Sequence, residues 1–225
     1  MFSPTGFSWR QAVHDVLLLS RVDFLLPATM SDLTPKPVSA SRTIITELMI
    51  PSYANFGGKV HGGILLSLMD KVAYACASRH AGTYCVTVSV DGVDFLRPAD
   101  VGDLVSLKAS VNYVGRTSLI VGIRVTAENV QDETEKHTNT CYFTMVARDS
   151  EGSPMVVPPL ILETDEDLRR FVTAAERKKL RARMRERMTA YKDEFTVDET
   201  ARAAIEGERC ALRLGTSEAG CRSAD

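Results

Sequence analysis

Residues 62–80 form a stretch so uniformly apolar that the sequence predicts a helix buried inside the fold. Leucine, methionine, valine, alanine and cysteine occupy almost every turn, and nearly no polar face is left. A helix that is apolar nearly all round lies in the interior of a protein. Gly82 follows it at the position where glycine commonly ends a helix. The rest of the fold must therefore enclose this helix.

Five segments with the character of β-strands flank the helix. Apolar and β-branched residues are concentrated or alternate in them. Short links between long strands predict antiparallel hairpins. One antiparallel five-stranded sheet that curls around the central helix, an α+β fold, is the arrangement that buries the helix. A sheet with exposed edges often closes by pairing with a second subunit. The five segments are residues 42–50, 84–96, 103–114, 118–130 and 136–148.

Composition excludes several classes of protein. The 225 residues carry a net charge of −2, so there is no global nucleic-acid signature. No apolar run approaches the roughly 18–20 residues of a membrane span. The cysteine count is odd and shows no CxxC spacing, which argues against a disulfide framework and a metal site. We therefore expect a cytoplasmic protein in a reducing compartment. The five cysteines are Cys76, Cys85, Cys141, Cys210 and Cys221.

Three regions are expected along the chain. Residues 1–39 form a proline-punctuated extension that we expect to be poorly ordered, and Met30 is an alternative start. Residues 40–163 hold the sheet and its helix. Residues 164–225 hold a basic helix, which begins at a capping-box pattern, and a disordered tail. Ten basic and two acidic residues lie between positions 169 and 192. Because aromatic residues for base stacking are nearly absent there, a solvated helix is favoured over a nucleic-acid or lipid surface.

The turn before the central helix carries the residues best suited to chemistry. Gly62 and Gly63 lack Cβ atoms and lie where free helix N–H groups can polarise a carbonyl oxygen. Asp70 lies one to two turns inside the helix. Burying its carboxylate costs free energy unless the group is paired or takes part in the chemistry. An oxyanion site beside a carboxylate base suits acyl transfer. The alternative is a structural Asp70 that pairs with Lys71 or Arg79.

The neighbouring candidates are weaker. Asn55 can orient water or a carbonyl through its amide, or it can be an ordinary turn residue. His61 has no nearby serine or cysteine to activate, so substrate contact or packing is favoured over catalysis. Cys76 and Cys85 lie on the helix and a strand, where thiols are usually inert.

Four blocks of residues resemble a known family. The chain is similar to hotdog-fold acyl-CoA thioesterases of the YciA and brain acyl-CoA hydrolase type, over roughly residues 40–160. A Gly-Gly pair alone is weak, but four ordered blocks at compatible spacing are specific. The matching residues are Asn55, Gly58, Val60, His61, Gly62, Gly63 and Asp70; Thr87, Ser89, Asp91, Phe95, Pro98, Gly102 and Asp103; Gly115, Arg116, Thr117 and Ser118; and Phe143–Ala147 with Pro158.

The resemblance implies hydrolysis of acyl-CoA to a free acid and CoA, without a metal or other cofactor. Asp70 and Asn55 match the family's catalytic positions, with Asp70 as general base or as nucleophile. Arg116, Thr117 and Ser118 match the segment that contacts CoA. The family also implies a homodimer with sites at its seam, which can assemble into a trimer of dimers. Two alternatives are a non-catalytic acyl-CoA-binding hotdog module and a hotdog dehydratase or hydratase.

Overall fold

The computed structural model of the chain describes residues 33–212. The predictions for residues 1–32, Met30 included, and for the end of the tail lie outside this range. The chain divides into two compact units, one ending at Arg177 and one beginning at Lys178. The elements in order are β1 (Lys36–Pro37), α1 (Val38–Ser41), β2 (Thr43–Leu48), a 3-10 turn (Pro51–Tyr53), α2 (Gly62–Ala81), β3 (Tyr84–Asp91), β4 (Asp103–Val114), β5 (Ser118–Asn129), β6 (Thr134–Arg148), β7 (Leu160–Ile161), α3 (Asp165–Glu194) and α4 (Glu199–Ala203).

The first unit is a five-stranded antiparallel sheet with α2 packed on one face, as the sequence predicts. The strand order is β2-β4-β5-β6-β3. Inward-facing residues alternate along β4 and β5 and meet the apolar side of α2 in one core. Met69, Val72, Leu107, Val121 and Phe143 are among its fully buried side chains.

One predicted pairing is wrong. The short link at residues 97–102 led us to expect a hairpin between β3 and β4, but β3 pairs only with β6, at the opposite side of the sheet from β2. The predicted strand 84–96 ends at Asp91, so the connection to β4 is longer than the sequence suggested. That longer connection lets the chain cross from the edge strand β3 past β6 and β5 to β4 instead of turning back.

Helix α2 is not buried all round, which corrects the prediction. A stripe at helical spacing is exposed, and it contains Leu66, Asp70 and Tyr74. Leu66 and Tyr74 are 38% and 44% exposed. The apolar residues of this stripe are indistinguishable from core residues in the sequence. Gly82 ends the helix as predicted, with a φ of +74° and its N–H donated to the carbonyl of Ser78.

The ends of the first unit hold structure that the sequence did not indicate. Within the expected linker, β1 pairs in parallel with β7, which places Lys36 opposite Leu160. Thr164 caps α3, because its hydroxyl accepts the N–H of Asp167 at 3.1 Å, in agreement with the capping pattern. Phe171 packs on Tyr113 with ring centroids 5.1 Å apart, so the first turns of α3 lie on the outer face of the sheet.

The second unit, beginning at Lys178, contains the rest of α3 and the short helix α4. Large apolar residues of α3 are exposed there, including Leu180, Met184 and Met188. Across residues 33–212, no helix combines the length and the apolar character that crossing a membrane requires.

Candidate active site

The centre of the candidate site is a hydrogen bond between α2 and β3. The hydroxyl of Thr87 donates to Oδ1 of Asp70 at 2.6 Å. This length is typical of a hydroxyl that donates to a carboxylate. Asp70 lies on the exposed stripe of α2, and the structure shows it bonded to Thr87 rather than paired with Lys71 or Arg79. One carboxylate oxygen is therefore held by the fold, while the other accepts no hydrogen bond within residues 33–212.

Thr87 was not among the site residues that we chose from the sequence. It belongs to the second matching block, but alternation alone marked it only as one more residue of a strand. In the structure its hydroxyl reaches Asp70 of α2, and it also lies 3.3 Å from Sδ of Met145, its register partner on β6. The sequence signal that could have identified Thr87 is a hydroxyl at a strand position that faces the core.

Asn55 shapes the loop that leads into α2. Its side-chain carbonyl accepts the N–H of Gly57 at 2.9 Å and that of Lys59 at 3.2 Å. This is the turn role considered from the sequence. The amide nitrogen of Asn55 has no acceptor within residues 33–212, so it remains a donor for a ligand.

The loop around Asn55 is tied to the sheet by charge. Lys59 forms an ion pair with Asp100, which also accepts from Lys136 at 2.8 Å. The hydrogen bonds from Lys136 and Lys59 lower the pKa of the Asp100 carboxyl below its usual value. These contacts hold the approach to α2 in one position.

His61 caps α2, and this changes the expected role of the glycine pair. Nδ1 of His61 accepts the N–H of Gly63 at 2.9 Å. A Cβ on Gly63 would lie 3.0 Å from that nitrogen, so the glycine leaves room for the imidazole ring. The N–H of Gly62 has no acceptor in the described part of the chain. Of the two N–H groups considered for an oxyanion, only that of Gly62 is therefore free.

Arg116, Thr117 and Ser118 lie at the hairpin between β4 and β5. Arg116 is exposed, and the carbonyl of Thr117 accepts the N–H of Ala147 at 3.0 Å. Ser118 is followed by Leu119, which pairs with Met145, and Met145 in turn pairs with Thr87 on β3. Since strands lie about 4.8 Å apart, this register puts the start of β5 about 10 Å from Thr87.

Within residues 33–212, the structure supports neither a cysteine nucleophile nor a metal site. Burial raises the pKa of the Cys76 thiol to about 12 and that of Cys85 to about 11, so neither is a nucleophile near neutral pH. Within residues 33–212, no group of histidine, cysteine and acidic side chains is arranged to hold a metal ion.

Comparison with known proteins agrees with this arrangement. The profile of the Thioesterase superfamily matches residues 57–134. Protein VdlD of Helicobacter pylori is 43% identical over 152 residues, which is 68% of this chain and 87% of VdlD. A crystal structure of an apo-hexameric acyl-CoA thioesterase is 38% identical, with a TM-score of 0.66, over 68% of this chain and 97% of that one. The chain belongs to the hotdog-fold acyl-CoA thioesterase family.

A Staphylococcus aureus acyl-CoA hydrolase of this family has been solved with butyryl-CoA, CoA and CoA disulfide. It is 31% identical, with a TM-score of 0.63, over 71% of this chain and 99% of the hydrolase. The same hydrolase has been solved as single alanine variants of an asparagine, of an aspartate 15 positions later and of a threonine 17 positions after the aspartate.

Proposed function

We propose that this chain hydrolyses acyl-CoA thioesters to a carboxylic acid and CoA, with Asp70 as the group that activates water. The observation that carries the proposal is the 2.6 Å hydrogen bond from Thr87 to Asp70 on the exposed stripe of α2. It fixes one carboxylate oxygen and leaves the other for a reactant.

In this mechanism the free oxygen of Asp70 accepts a proton from water as the water oxygen attacks the thioester carbon. The N–H of Gly62 and the dipole of α2 stabilise the negative charge on the carbonyl oxygen. The amide of Asn55 orients the water or the carbonyl. The tetrahedral intermediate then expels the CoA thiolate, which recovers the proton from Asp70. Direct attack by Asp70, through a mixed anhydride, is the alternative route.

The spacing of the site residues supports these roles. Asn55, Asp70 and Thr87 are separated by 15 and 17 positions. The asparagine, aspartate and threonine that were changed to alanine in the Staphylococcus aureus hydrolase have the same separations. We therefore assign Thr87 as a residue that positions Asp70.

CoA and a second copy of the chain complete the proposed site. Arg116, Thr117 and Ser118 offer a guanidinium and two hydroxyls, which suit a phosphate-bearing ligand. A second copy would cover the exposed stripe of α2 and the free edge of β3, which makes the enzyme a homodimer able to form a trimer of dimers. A family member described as hexameric supports this assembly.

The direct test measures CoA release from a series of acyl-CoA esters from C2 to C18. The Asp70→Asn and Asn55→Ala variants are compared with Asp193→Asn, a matched control on an exposed part of α3. Loss of a general base should lower turnover by about 10²–10⁴-fold in Asp70→Asn. The control should keep full turnover.

The same experiment separates an enzyme from a binding module. Tight binding of acyl-CoA without turnover by the unmutated chain would overturn the proposal in favour of a non-catalytic acyl-CoA-binding hotdog module. Unchanged turnover in Asp70→Asn, with the fold intact, would retain the hydrolase and remove Asp70 from its mechanism.

A further inference from the structure

A cavity lies on the face of the sheet opposite α2, under the first turns of α3. It measures about 360 Å³, within the range of small-molecule sites. Strands β4, β5 and β6 form its floor, and α3 covers it, so α2 and Asp70 take no part in it. Five basic side chains line the cavity, and they are Arg42, Lys108, Arg124, Arg169 and Arg170.

Two of these cations face each other directly. Lys108 of β4 and Arg124 of β5 are register partners on neighbouring antiparallel strands. Like charges placed opposite one another on a sheet are destabilising. Lys108 has Glu135 at 3.8 Å, whereas Arg124 has no acidic partner within residues 33–212. The repulsion between these strands would be relieved by an anion in the cavity.

The carboxylates around the cavity do not neutralise it. Arg169 and Arg170 share Glu166, with bonds of 2.7 Å and 2.8 Å. The hydrogen bond from Arg169 holds the pKa of Glu166 at about 2, so this carboxylate is ionised near neutral pH. Asp167 lies 3.6 Å from Arg42. Five cations thus face three carboxylates, including Glu135, and two positive charges remain.

A buried amide adds a donor without an acceptor. Asn112 is 6% exposed and forms the irregular position where the pairing of β4 with β5 shifts. Its carbonyl accepts the hydroxyl of Ser110 at 3.0 Å. Its amide nitrogen lies over Gly122, where a Cβ would come within 2.2 Å of it, so Gly122 leaves the space that Asn112 fills. Asn112 lines the cavity, and its amide nitrogen has no acceptor in the described chain.

We propose that this cavity binds the phosphate group of a small molecule, at a site separate from the thioester site. The two surplus charges match a phosphate dianion, and guanidinium groups bind phosphate oxygens through paired hydrogen bonds. The amide of Asn112 supplies a neutral donor. Thr140, the register partner of Arg124 on β6, also lines the cavity, and its hydroxyl forms a 2.9 Å hydrogen bond with Nε2 of His137.

Calorimetric titration of the full-length chain with inorganic pyrophosphate, and separately with AMP, tests the proposal. Arg124→Gln and Lys108→Gln should each weaken binding about tenfold or more, because each removes a charge-assisted contact. Arg183→Gln is the matched control on an exposed part of α3, and Arg116→Gln tests the hairpin proposed for CoA. Arg183→Gln should bind as the unmutated chain does, and the binding that survives in Arg116→Gln belongs to the cavity. If AMP binds more tightly than pyrophosphate, the cavity also recognises the nucleoside. If the two bind equally, the cavity recognises phosphate alone.

Stability without ligand gives a second readout. Arg124→Gln should unfold at the same temperature as the unmutated chain or at a higher one, because the variant removes the repulsion with Lys108. The proposal is overturned if neither ligand binds, if Arg183→Gln weakens binding as much as Arg124→Gln does, or if binding is lost in Arg116→Gln and retained in Arg124→Gln.

Discussion

The hydroxyl of Thr87 sets the orientation of the Asp70 carboxylate, and this makes it the most informative single group of the site. We predict that Thr87→Val lowers kcat by about tenfold to a hundredfold, since a hydrogen bond to a charged group contributes about 1.5–3 kcal/mol. The KM for acyl-CoA should change little, because Thr87 acts through Asp70. Steady-state kinetics checks the prediction.

Thr87→Ser is the matched control, because it keeps a hydroxyl at the same place and should retain most of the turnover. A Thr87→Val enzyme with full kcat would show that the hydrogen bond has no catalytic role.

His80 makes stability depend on pH. It is fully buried, its Nε2 lies 2.8 Å from the carbonyl of Pro158, and its Nδ1 has no partner among the described residues. Burial lowers the pKa of His80 in the folded chain, and the nearby Lys36 ammonium lowers it further. The unfolded chain therefore binds a proton first as the pH falls below about 6.5. Stability is full above that pH and falls below it.

We predict a loss of up to about 1.4 kcal/mol per pH unit below pH 6.5, until the folded pKa is reached. Urea unfolding at pH 7.5, 6.5 and 5.5 measures it. His80→Gln can still donate to Pro158 but cannot titrate, so its stability should depend less on pH. An equally steep fall in His80→Gln would assign the dependence to other groups.

At the scale of elements, the N-terminus of α2 both stabilises the helix and contributes to the candidate site. His61 is its cap through the bond from Gly63. We predict that His61→Ala lowers the free energy of unfolding by about 0.5–2 kcal/mol, the usual effect of losing a cap. Thermal unfolding measures the change, and His61→Asn should restore the cap.

Turnover of the same two variants tests the glycine pair. If the N–H of Gly62 alone serves the carbonyl, His61→Ala keeps its kcat at a temperature where it is folded. A kcat that rises when the cap is removed would mean that the freed N–H of Gly63 takes part as well.

The main elements and the hairpins β4–β5 and β5–β6 followed from local patterns, while the partner of β3 did not. Alternation gave β4 the bounds Asp103–Val114, and glycine at position 82 ended α2, because both signals lie within one element. The pairing of β3 with β6 joins strands that lie far apart along the chain. The link at residues 97–102 pointed to β4 instead, so the prediction was wrong. For the same reason the sequence did not predict the contact of Thr87 with Asp70 or the basic cavity under α3, because each joins residues from separate elements. Asn55, Gly62 and Asp70 were chosen as candidates from the sequence because their motif is contiguous with one helix.

At the scale of the whole molecule, one edge of the sheet carries exposed apolar side chains next to the candidate site. Strand β3 ends the sheet, and its Tyr84 and Val90 are 56% and 43% exposed. Tyr84 packs on Tyr74 of the exposed stripe of α2, with ring centroids 5.9 Å apart. An open edge with apolar side chains favours pairing with another chain. Asp70 lies on the same stripe, so the edge and the candidate site share one surface.

We predict that Val90→Lys weakens self-association by about tenfold or more, because it places a charge at the edge that a second copy would cover. Turnover per chain should fall together with assembly at dilute protein concentrations and recover as the concentration is raised. Sedimentation velocity and CoA release over one concentration series measure both. Leu48→Lys is the matched control, since Leu48 is 50% exposed on β2 at the opposite edge and should leave assembly unchanged. An assembly that survives Val90→Lys and dissociates in Leu48→Lys would place the subunit interface at β2 and separate it from Asp70.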